Sequence, residues 1–401
     1  MSFPRYPQYK DSGVDWLGSV PAHWEKVRTK EVVQFSTGWT PPTGNDAAFS
    51  GANMWANISD LGPRVLNETA KQISDEAIAD SRINPTPKDS LLFSFKLSIG
   101  QVSFAGCDMF TNEAIATFLP SSRLSLEFAY YAFPLFLVQN AAENIYGAKL
   151  LNQELIRSAR FALPPLPEQR EIAGFLDRET GKIDALVAEQ ERLLELLKEK
   201  RQAVIAHAVT RGLNPNAPLK PSGLAWLGDV PAHWELGPLK RFWSVTDCKH
   251  ITAEFVEEGI PLASIREVQS WWVSLENAKC TTDYFYEQLI EGGRKPLSGD
   301  LIFSRNATVG EVAQVPADAP RFAMGQDVCL LHRLSPEYSP GFLQYVIRSP
   351  IIIHQLETLM IGSTFKRINV EEIRSFLVPF PPAAEQRAIV AHLDAATAQF
   401  D

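Results

Sequence analysis

Residues 167–211 read PEQREIAGFLDRETGKIDALVAEQERLLELLKEKRQAVIAHAVTR. After Pro167 the stretch has no proline, and its apolar residues recur in steps of three and four, as on one face of a helix. These positions are Ile172, Leu176, Ile183, Val187, Leu194, Leu197, Val204 and Ala208, with Leu186, Leu193 and Ile205 beside them. Pro167 suits a first helical turn, and Gly212 and Pro215 suit a helix end. The pattern predicts one helix on the order of 65 Å long, and two helices broken near Gly181 are the alternative.

The start of this stretch occurs a second time near the end of the chain. Residues 383–401 read AAEQRAIVAHLDAATAQFD and follow Pro381-Pro382, just as the first copy follows Pro164-Pro165. At a constant offset of 217, the Glu-Gln-Arg triplet, Ile172, Leu176 and Asp177 all find identical residues. The sequence therefore contains one long helix and the beginning of a second.

The residues in front of each helix are also repeated. WLGSVPAHWE, which begins at Trp16, returns as WLGDVPAHWE, which begins at Trp226. LFSFKLSIGQV from Leu92 returns as IFSRNATVGEV from Ile302, and in each an apolar run, a polar turn and a glycine predict a β-hairpin. Each half then ends in a short helix and a strand, FALPP or FLVPF. The two units share this frame but differ inside it, as a protein that reads two different targets would require.

Composition describes an ordinary globular protein. Of 401 residues, 45% are hydrophobic and 21% charged, and the longest apolar run is too short to cross a bilayer. The N-terminus lacks the pattern of a signal peptide, and four scattered cysteines without a CxxC pair indicate thiols in a reducing cytoplasm. The net charge is −9, so a nucleic-acid site would have to concentrate its positive charge locally.

These features together resemble one known family, the specificity (S) subunits of type I restriction–modification systems. The carriers are the WLG-VP-HWE openings, the FSTGWTPPTG and MWANISDL run (Gly38 to Leu61), the Ser-to-Gly strand turns, and PPLPEQREIAGFLD with its repeat. The resemblance implies an α+β protein with two α/β target recognition domains, related by a pseudo-twofold axis and joined by long helices that form an antiparallel coiled coil. We predict domains at 1–166 and 212–383, a spacer helix at 167–211, and the start of a second, truncated spacer helix at 384–401.

The resemblance also implies the partners. Each recognition domain would read one half of a split sequence in double-stranded DNA. The chain would dock methyltransferase (M) subunits, which carry S-adenosylmethionine, and restriction (R) subunits, which use ATP and Mg²⁺. We expect no membrane partner, and no cofactor or metal in this chain.

Motifs for catalysis are missing from the sequence. It has no Asn/Asp-Pro-Pro-aromatic tetrapeptide of an adenine methyltransferase, no phosphate-binding loop and no metal-ligand spacing. We therefore expect a protein that is not itself an enzyme. A hydrolase using His23 or His233 is an alternative, but no nucleophile lies at a fixed spacing from both histidines, which favours a structural role for them.

DNA reading needs polar side chains at base edges and cations at phosphates. In the first unit the candidates are Thr40, Thr43, Asn45, Asn57, Ser59, Lys71, Gln72, Lys96 and Ser98. In the second they are Lys249, His250, Thr252, Arg266, Gln269, Arg305, Asn306, Thr308, Lys366 and Arg367. We expect Lys96 and Arg305 to occupy equivalent places, and Arg305-Asn306 to suit guanine and adenine. Trp271-Trp272 suits base stacking, but we interpret it as core.

The repeated polar triplet at the start of each spacer helix predicts partner-binding residues: Glu168, Gln169, Arg170, Glu385, Gln386 and Arg387. Pure packing would need only apolar residues at these places. The alternative function for the whole chain is a protein-binding scaffold with two units, in which the helices act as a dimerisation strut.

Overall fold

The computed structural model describes residues 5–42, 44, 46–143, 147, 149–360 and 367–399. It divides into two compact units, Met1–Ala188 and Glu189–Asp401. Each contains both helices and strands, which confirms the predicted α+β class. Within the described part of the chain, no helix combines the length and apolar character needed to cross a bilayer.

The first unit contains fourteen strands among its described residues: β1 (Tyr9–Asp11), β2 (Ser19–Pro21), β3 (Glu25–Arg28), β4 (Phe35–Thr37), β5 (Asn53–Ala56), β6 (Val65–Leu66), β7 (Lys71–Ile73), β8 (Leu91–Ser94), β9 (Val102–Ala105), β10 (Phe110–Thr111), β11 (Ile115–Phe118), β12 (Ala142–Glu143), β13 (Lys149–Leu150) and β14 (Arg160–Leu163). Its helices are α1 (Thr29–Val32), α2 (Asp75–Ser81), α3 (Leu126–Gln139), α4 (Gln153–Ser158) and the start of α5 (Leu166–Arg211).

A five-stranded sheet, ordered β4-β11-β8-β9-β6, is the centre of the first unit. All residues of β8 and β11 are buried, because both strands lie inside the sheet and their short apolar runs suit burial on both faces. Strands β8 and β9 form the predicted antiparallel hairpin. A smaller sheet, ordered β10-β5-β7, lies in the same unit. Phe93, Phe118, Phe133 and Phe161 are fully buried in the main core.

The second unit contains the end of α5 and strands β15 (Leu219–Pro221), β16 (Asp229–Pro231), β17 (Glu235–Pro238), β18 (Trp243–Asp247), β19 (Ile260–Ala263), β20 (Cys280–Thr281), β21 (Leu301–Ser304), β22 (Val312–Gln314), β23 (Ala323–Met324), β24 (Val328–Arg333) and β25 (Leu377–Phe380). Its further helices are α6 (Asp283–Ile290), α7 (Pro340–Ile347), α8 (Pro350–Met360), α9 (Val370–Ser375) and α10 (Ala383–Thr397).

The second unit repeats most of the topology of the first, although among the described residues no strand of its main sheet corresponds to β6. Its main sheet is ordered β18-β24-β21-β22, and its smaller sheet is ordered β20-β19-β23. In both small sheets the middle strand has one parallel and one antiparallel neighbour. In both units the strand after the WLG-VP-HWE opening pairs antiparallel with the strand before the spacer helix, β3 with β14 and β17 with β25. The predicted duplication of the frame is confirmed.

Helix α5 is continuous over 46 residues, so the alternative of a break at Gly181 is wrong. Gly212 ends it in the left-handed conformation, with φ of +73°, as the sequence predicts. The apolar stripe is buried only toward the two ends of the helix. Ala173 belongs to the core of the first unit, and Ile205, Ala208 and Val209 belong to that of the second. Between them Ile183, Leu186, Val187, Leu193, Leu194 and Leu196 are 47–60% exposed.

Helix α10 packs against the end of α5 inside the second unit. Ile389 and Leu393 share a core with the buried residues of α5. A Cβ added at Gly212 would lie 2.8 Å from Oε1 of Glu385, while Asp394 accepts a hydrogen bond from Tyr345, whose pKa the charge of Arg201 also affects. Since α10 advances from 385 to 394 while its α5 neighbours go back from 212 to 201, the two helices run antiparallel, as predicted.

Candidate nucleic-acid interface

A buried serine ends the inner strand of each hairpin and shapes the turn that follows. Ser94 and Ser304 are both fully buried. The hydroxyl of Ser94 donates to the carbonyl of Ser98 and accepts from the amide of Gln101 at 3.0 Å. The hydroxyl of Ser304 donates to the carbonyl of Asn306 at 3.2 Å and lies 3.0 Å from that of Thr308. Each turn is therefore held from inside by a side chain that belongs to the core.

The two turns share left-handed backbones at two equivalent positions but differ in their side chains. Leu97 and Ala307 adopt left-handed backbones with φ of +57° and +56°, and Gly100 and Gly310 follow with φ of +96° and +98°. This register makes Lys96 the equivalent of Asn306, and Phe95 the equivalent of Arg305. The prediction that Lys96 and Arg305 are equivalent is wrong by one residue. The left-handed residues Leu97 and Ala307 align the two turns, and the two cations then fall at different positions.

In the first unit three chain segments meet at this turn. Thr40, after β4, donates a hydrogen bond to the carboxylate of Glu113, which precedes β11. Nζ of Lys96 lies 3.8 Å from Oε1 of the same carboxylate. The hydrogen bond from Thr40, and then the charge of Lys96, lower the pKa of Glu113 below its ordinary value. Glu113 was not among the sequence candidates, because only the pairing of β4 and β8 with β11 brings it to them.

The other candidates of the first unit divide by their environment. Asn57 is committed to structure, since its Oδ1 accepts from the amide of Ile58 at 2.7 Å and from Nδ2 of Asn112 at 2.7 Å. Ser59, Lys71, Gln72 and Ser98 are exposed. Nζ of Lys71 lies 5.0 Å from the ring centre of Phe49. Thr43 and Asn45 fall outside the described residues.

Arg305 does not point to solvent in the second unit. Its side chain is only 4% exposed and pairs with the carboxylate of Asp247 at the end of β18. Desolvation opposes ionisation of both groups, but their hydrogen bond and mutual charge prevail, so the pKa of Asp247 is lowered and that of Arg305 raised. The guanidinium is already bound within the fold, so the structure favours a structural role for Arg305, and its reading of guanine stays a prediction.

The remaining candidates of the second unit are more accessible. Thr252, Arg266, Gln269 and Arg367 are exposed, and Asn306, Thr308 and Lys249 are half-buried. Lys249 pairs with Glu291, and Nη2 of Arg367 lies 3.7 Å from Oδ1 of Asp327. Trp271 packs on Tyr345 with ring centres 4.6 Å apart, as expected, but Trp272 is 47% exposed, so the interpretation of the pair as core is wrong for Trp272. Lys366 lies outside the described residues.

Asp247, Cys248 and the exposed His250 place three ligand-type atoms within 4.8 Å of one another. Nε2 of His250 is 3.4 Å from Oδ2 of Asp247. A metal would require the Cys248 thiolate, but burial and the charge of Asp247 raise the pKa of that thiol. Since Asp247 already neutralises Arg305, the cluster is better explained as an ion-pair network.

The repeated triplets of the spacer helices are mostly structural. Glu168 accepts hydrogen bonds from the hydroxyl of Tyr6 at 2.5 Å and Nε1 of Trp24 at 3.0 Å, and pairs with Nε2 of His23 at 2.7 Å. Desolvation alone would raise the pKa of Glu168, but these three donors lower it below the ordinary value. The hydrogen bond to Glu168 in turn raises the pKa of Tyr6 to about 12. Glu385 repeats the pairing with His233 at 2.8 Å.

Gln169 and Gln386 are buried at 0% and 2% exposure, so the prediction that they lie on an outer, partner-binding face is wrong. Each amide closes a chain turn: Gln169 donates to the carbonyl of Pro164 at 2.8 Å, and Gln386 to that of Pro381 at 2.9 Å. Only Arg170 and Arg387 of the two triplets are exposed. A polar residue at a repeated position can thus satisfy buried backbone groups, which sequence spacing does not distinguish from a contact surface.

The two histidines behave as structural residues. His23 and His233 each bind the glutamate that follows the proline turn, and within the described ranges neither hydrogen-bonds a serine, threonine or cysteine. The geometry therefore offers no support for a hydrolase built on either residue.

Comparison with known proteins also divides the chain into two related parts. The family model described as "Type I restriction modification DNA specificity domain" matches residues 21–195 and 247–401. The chain is 22% identical over 386 residues to the type I restriction enzyme MjaVIII specificity subunit of Methanocaldococcus jannaschii, covering 93% of this chain and 86% of that one. It is 23% identical over 399 residues to the putative MjaX specificity subunit of the same organism, covering 94% and 88%.

Among solved structures, the fold matches a chain from a study of complex assembly and conformational transition of the type I R-M system. The TM-score is 0.69 at 17% identity, and the match covers 95% of this chain and 92% of the other. At this identity the likeness shows a shared fold.

Proposed function

The chain belongs to the type I restriction–modification DNA specificity family, and we propose that its two units read the two halves of a split DNA target. The chain would hold methyltransferase and restriction subunits at that target. The observation that carries this proposal is the duplicated turn after Ser94 and Ser304, which keeps two left-handed backbone positions in each unit and has different side chains. A constant frame with variable side chains suits two readers of different sequences.

The electrostatics support contact with a polyanion at selected points. With a net charge of −9, the chain as a whole repels DNA, so binding depends on local cations. Lys71 and Lys96 in the first unit, and Arg266 and Arg367 in the second, are exposed cations of the predicted set. Phosphate contacts of this kind set position on the duplex, while the other turn residues contact base edges.

We infer that the chain has no catalytic role of its own. S-adenosylmethionine would bind the methyltransferase subunits, and ATP and Mg²⁺ the restriction subunits. Exposed Arg170 and Arg387 remain candidates for docking those partners. The complex would act in the cytoplasm, and the four cysteines, all free thiols, suit that compartment.

Two measurements test this function. The assembled complex should methylate a split motif in host DNA, detectable by methylome sequencing. Replacing residues 225–380 with the second recognition unit of another family member should change one half of the motif and leave the other half unchanged. A motif that changes in both halves, or no methylated motif at all, would contradict the proposal.

Binding by the isolated chain separates DNA reading from a protein scaffold. In fluorescence-anisotropy titrations on random duplexes, affinity should fall steeply with salt, because released counterions drive the association. Binding that is absent at every salt concentration would favour the scaffold.

A further inference from the structure

The turn of the first unit displays a leucine where packing offers it nothing. Leu97 is 90% exposed, the largest exposed fraction among the large apolar side chains of the described residues. Its backbone is also left-handed, with φ of +57°, a conformation that is unfavourable for residues with a Cβ and that glycine would adopt freely. Neither packing in the core nor the backbone preference of leucine explains a leucine at this position. Residues with such unfavourable backbones cluster at functional sites.

The leucine stands on a rigid support. The amide of Gly100 donates to the carbonyl of Ser94 at 2.9 Å, and the amide of Ile99 donates to that of Leu97 at 2.8 Å. Phe95, two residues before Leu97, is 3% exposed and packs in the main core. With the buried Ser94 hydroxyl holding the carbonyl of Ser98, the tip is fixed on both sides. Leu97 is therefore presented in a defined position.

The surroundings of the tip are polar and include a cation. Lys96 and Ser98 flank Leu97 and are exposed, and the Thr40–Glu113 hydrogen bond lies beside Lys96. An apolar group of this size flanked by a cation and a hydroxyl suits the major groove, where phosphates line the edges. There the C5-methyl of thymine is the one apolar group on a base edge.

The second unit supplies an internal comparison. Ala307 has φ of +56° and is exposed, so its backbone conformation and exposure match those of Leu97 while its side chain is three carbons shorter. The unfavourable backbone is thus kept in both units, and only the part that would reach a base differs. This is the pattern expected of a position that sets sequence preference.

We propose that Leu97 is a specificity-determining residue that contacts the C5-methyl of a thymine in the half-site read by the first unit. The inference rests on the proposed function, since it names the base feature that one unit would read. It adds a residue that carries neither charge nor hydrogen-bonding groups, which a search for polar readers passes over.

The test uses the complex of the full chain with its methyltransferase subunits, and duplexes carrying the motif found by methylome sequencing. Thymines of each half-site are replaced one at a time by uracil, which removes only the methyl group. At one position in one half-site, uracil should weaken binding by the unmodified complex about fourfold, the loss expected for burying one methyl less. The Leu97→Gly and Leu97→Ala complexes should bind the thymine duplex more weakly and be insensitive to uracil at that position.

Leu97→Gly relieves the left-handed backbone, so a loss of affinity in this variant would not reflect misfolding. Leu334→Ala is the matched control, because Leu334 is also an exposed leucine, at 57%. It follows the Arg333 end of β24, whereas the turn after Ser304 lies at the Val328 end. The Leu334→Ala complex should bind as the unmodified complex does. The inference would be overturned if Leu97→Gly kept the sensitivity to uracil, or if the unmodified complex showed none. In either case, binding of the motif in preference to random duplex would still support the proposed function. If the unmodified complex bound its motif no better than random duplex, the proposed function itself would fail.

Discussion

The hydroxyl of Tyr131 donates a hydrogen bond to Oδ1 of Asp177, 2.5 Å away, and so joins helix α3 to the first third of α5. Tyr345 and Asp394 repeat this bond at 2.7 Å between α7 and α10 in the second unit. Gln169 accepts a hydrogen bond from the amide of Ser125, the N-cap of α3, at 2.8 Å. Gln386 does the same for Ser339, the N-cap of α7, at 2.8 Å. Both recognition units thus hold their spacer helix by the same two polar ties.

Removing one hydroxyl tests the importance of this tie. The Tyr131 hydroxyl also accepts from Nη1 of Arg64 at 3.0 Å and lies 3.2 Å from Oγ1 of Thr180, so Tyr131→Phe should lower the free energy of unfolding by about 1–2 kcal/mol. The loss stays modest because Asp177 keeps Nη1 of Arg64 at 2.7 Å. Urea unfolding measures it, with Tyr130→Phe as the control, since no hydrogen bond of that hydroxyl is seen within the described ranges. Equal midpoints for the two variants would show that the tie adds no stability.

The pairing of Glu168 with His23 predicts a pH dependence. The folded-state pKa of Glu168 lies below its ordinary value of 4.5. The carboxylate therefore stabilises the fold fully above the ordinary pKa, and this stabilisation is lost as pH falls through the folded-state pKa. Glu168→Gln should cost about 1–2 kcal/mol at pH 7 and much less near pH 3. Urea unfolding at both pH values checks this, and a cost that did not change with pH would contradict the assigned role.

The buried pair of Arg305 and Asp247 should act on stability and not on base preference. Arg305→Met should cost about 2 kcal/mol, less than for a fully buried pair because Asp247 remains partly exposed. Adding Asp247→Asn to the same chain should restore part of the loss. Lys96→Met in the first unit is the comparison, with a cost of less than about 0.5 kcal/mol. If Arg305→Met kept full stability but changed one base of the motif, the original interpretation of Arg305 as a reader would be correct.

Phosphate contacts can be counted from the salt dependence of DNA binding. Lys71→Ala and Arg367→Ala should each reduce the slope of log affinity against log salt by about 0.9 if each cation meets one phosphate. Lys198→Ala is the control, because Lys198 is exposed on α5 and pairs with Glu195 at 2.8 Å. A slope that is unchanged in all three variants would remove Lys71 and Arg367 from the interface.

The continuity of α5 predicts a mechanical effect. Inserting seven residues beside Glu191 lengthens the helix by about 10 Å and keeps the apolar stripe in phase. The preferred spacer between the two half-sites should then change while both half-sites stay the same. Methylome sequencing of the variant complex checks this, and an unchanged spacer would mean that α5 does not set the separation.

The sequence by itself determined the features that depend on local chemistry. The spacing of the apolar residues from Ile172 to Ala208, followed by Gly212, was sufficient to predict one continuous helix and its end. Periodicity and capping involve residues that are near each other in the chain. The repeats of the WLG-VP-HWE opening and of the Glu-Gln-Arg triplet were sufficient to predict two units that share a frame, and the local pattern was sufficient to predict the hairpins at Leu92 and Ile302. These predictions hold because a duplicated segment folds by the same local rules.

Only the tertiary structure decided what each polar side chain does. Arg305 faces Asp247, 58 residues away, and Gln169 is buried although it stands between the half-buried Glu168 and the exposed Arg170. Leu97 is exposed although its neighbour Phe95 is core. Whether a charge meets solvent, a carboxylate or a buried carbonyl depends on strands that pair across the sequence, and the free energy of desolvating it is fixed only when those strands have met.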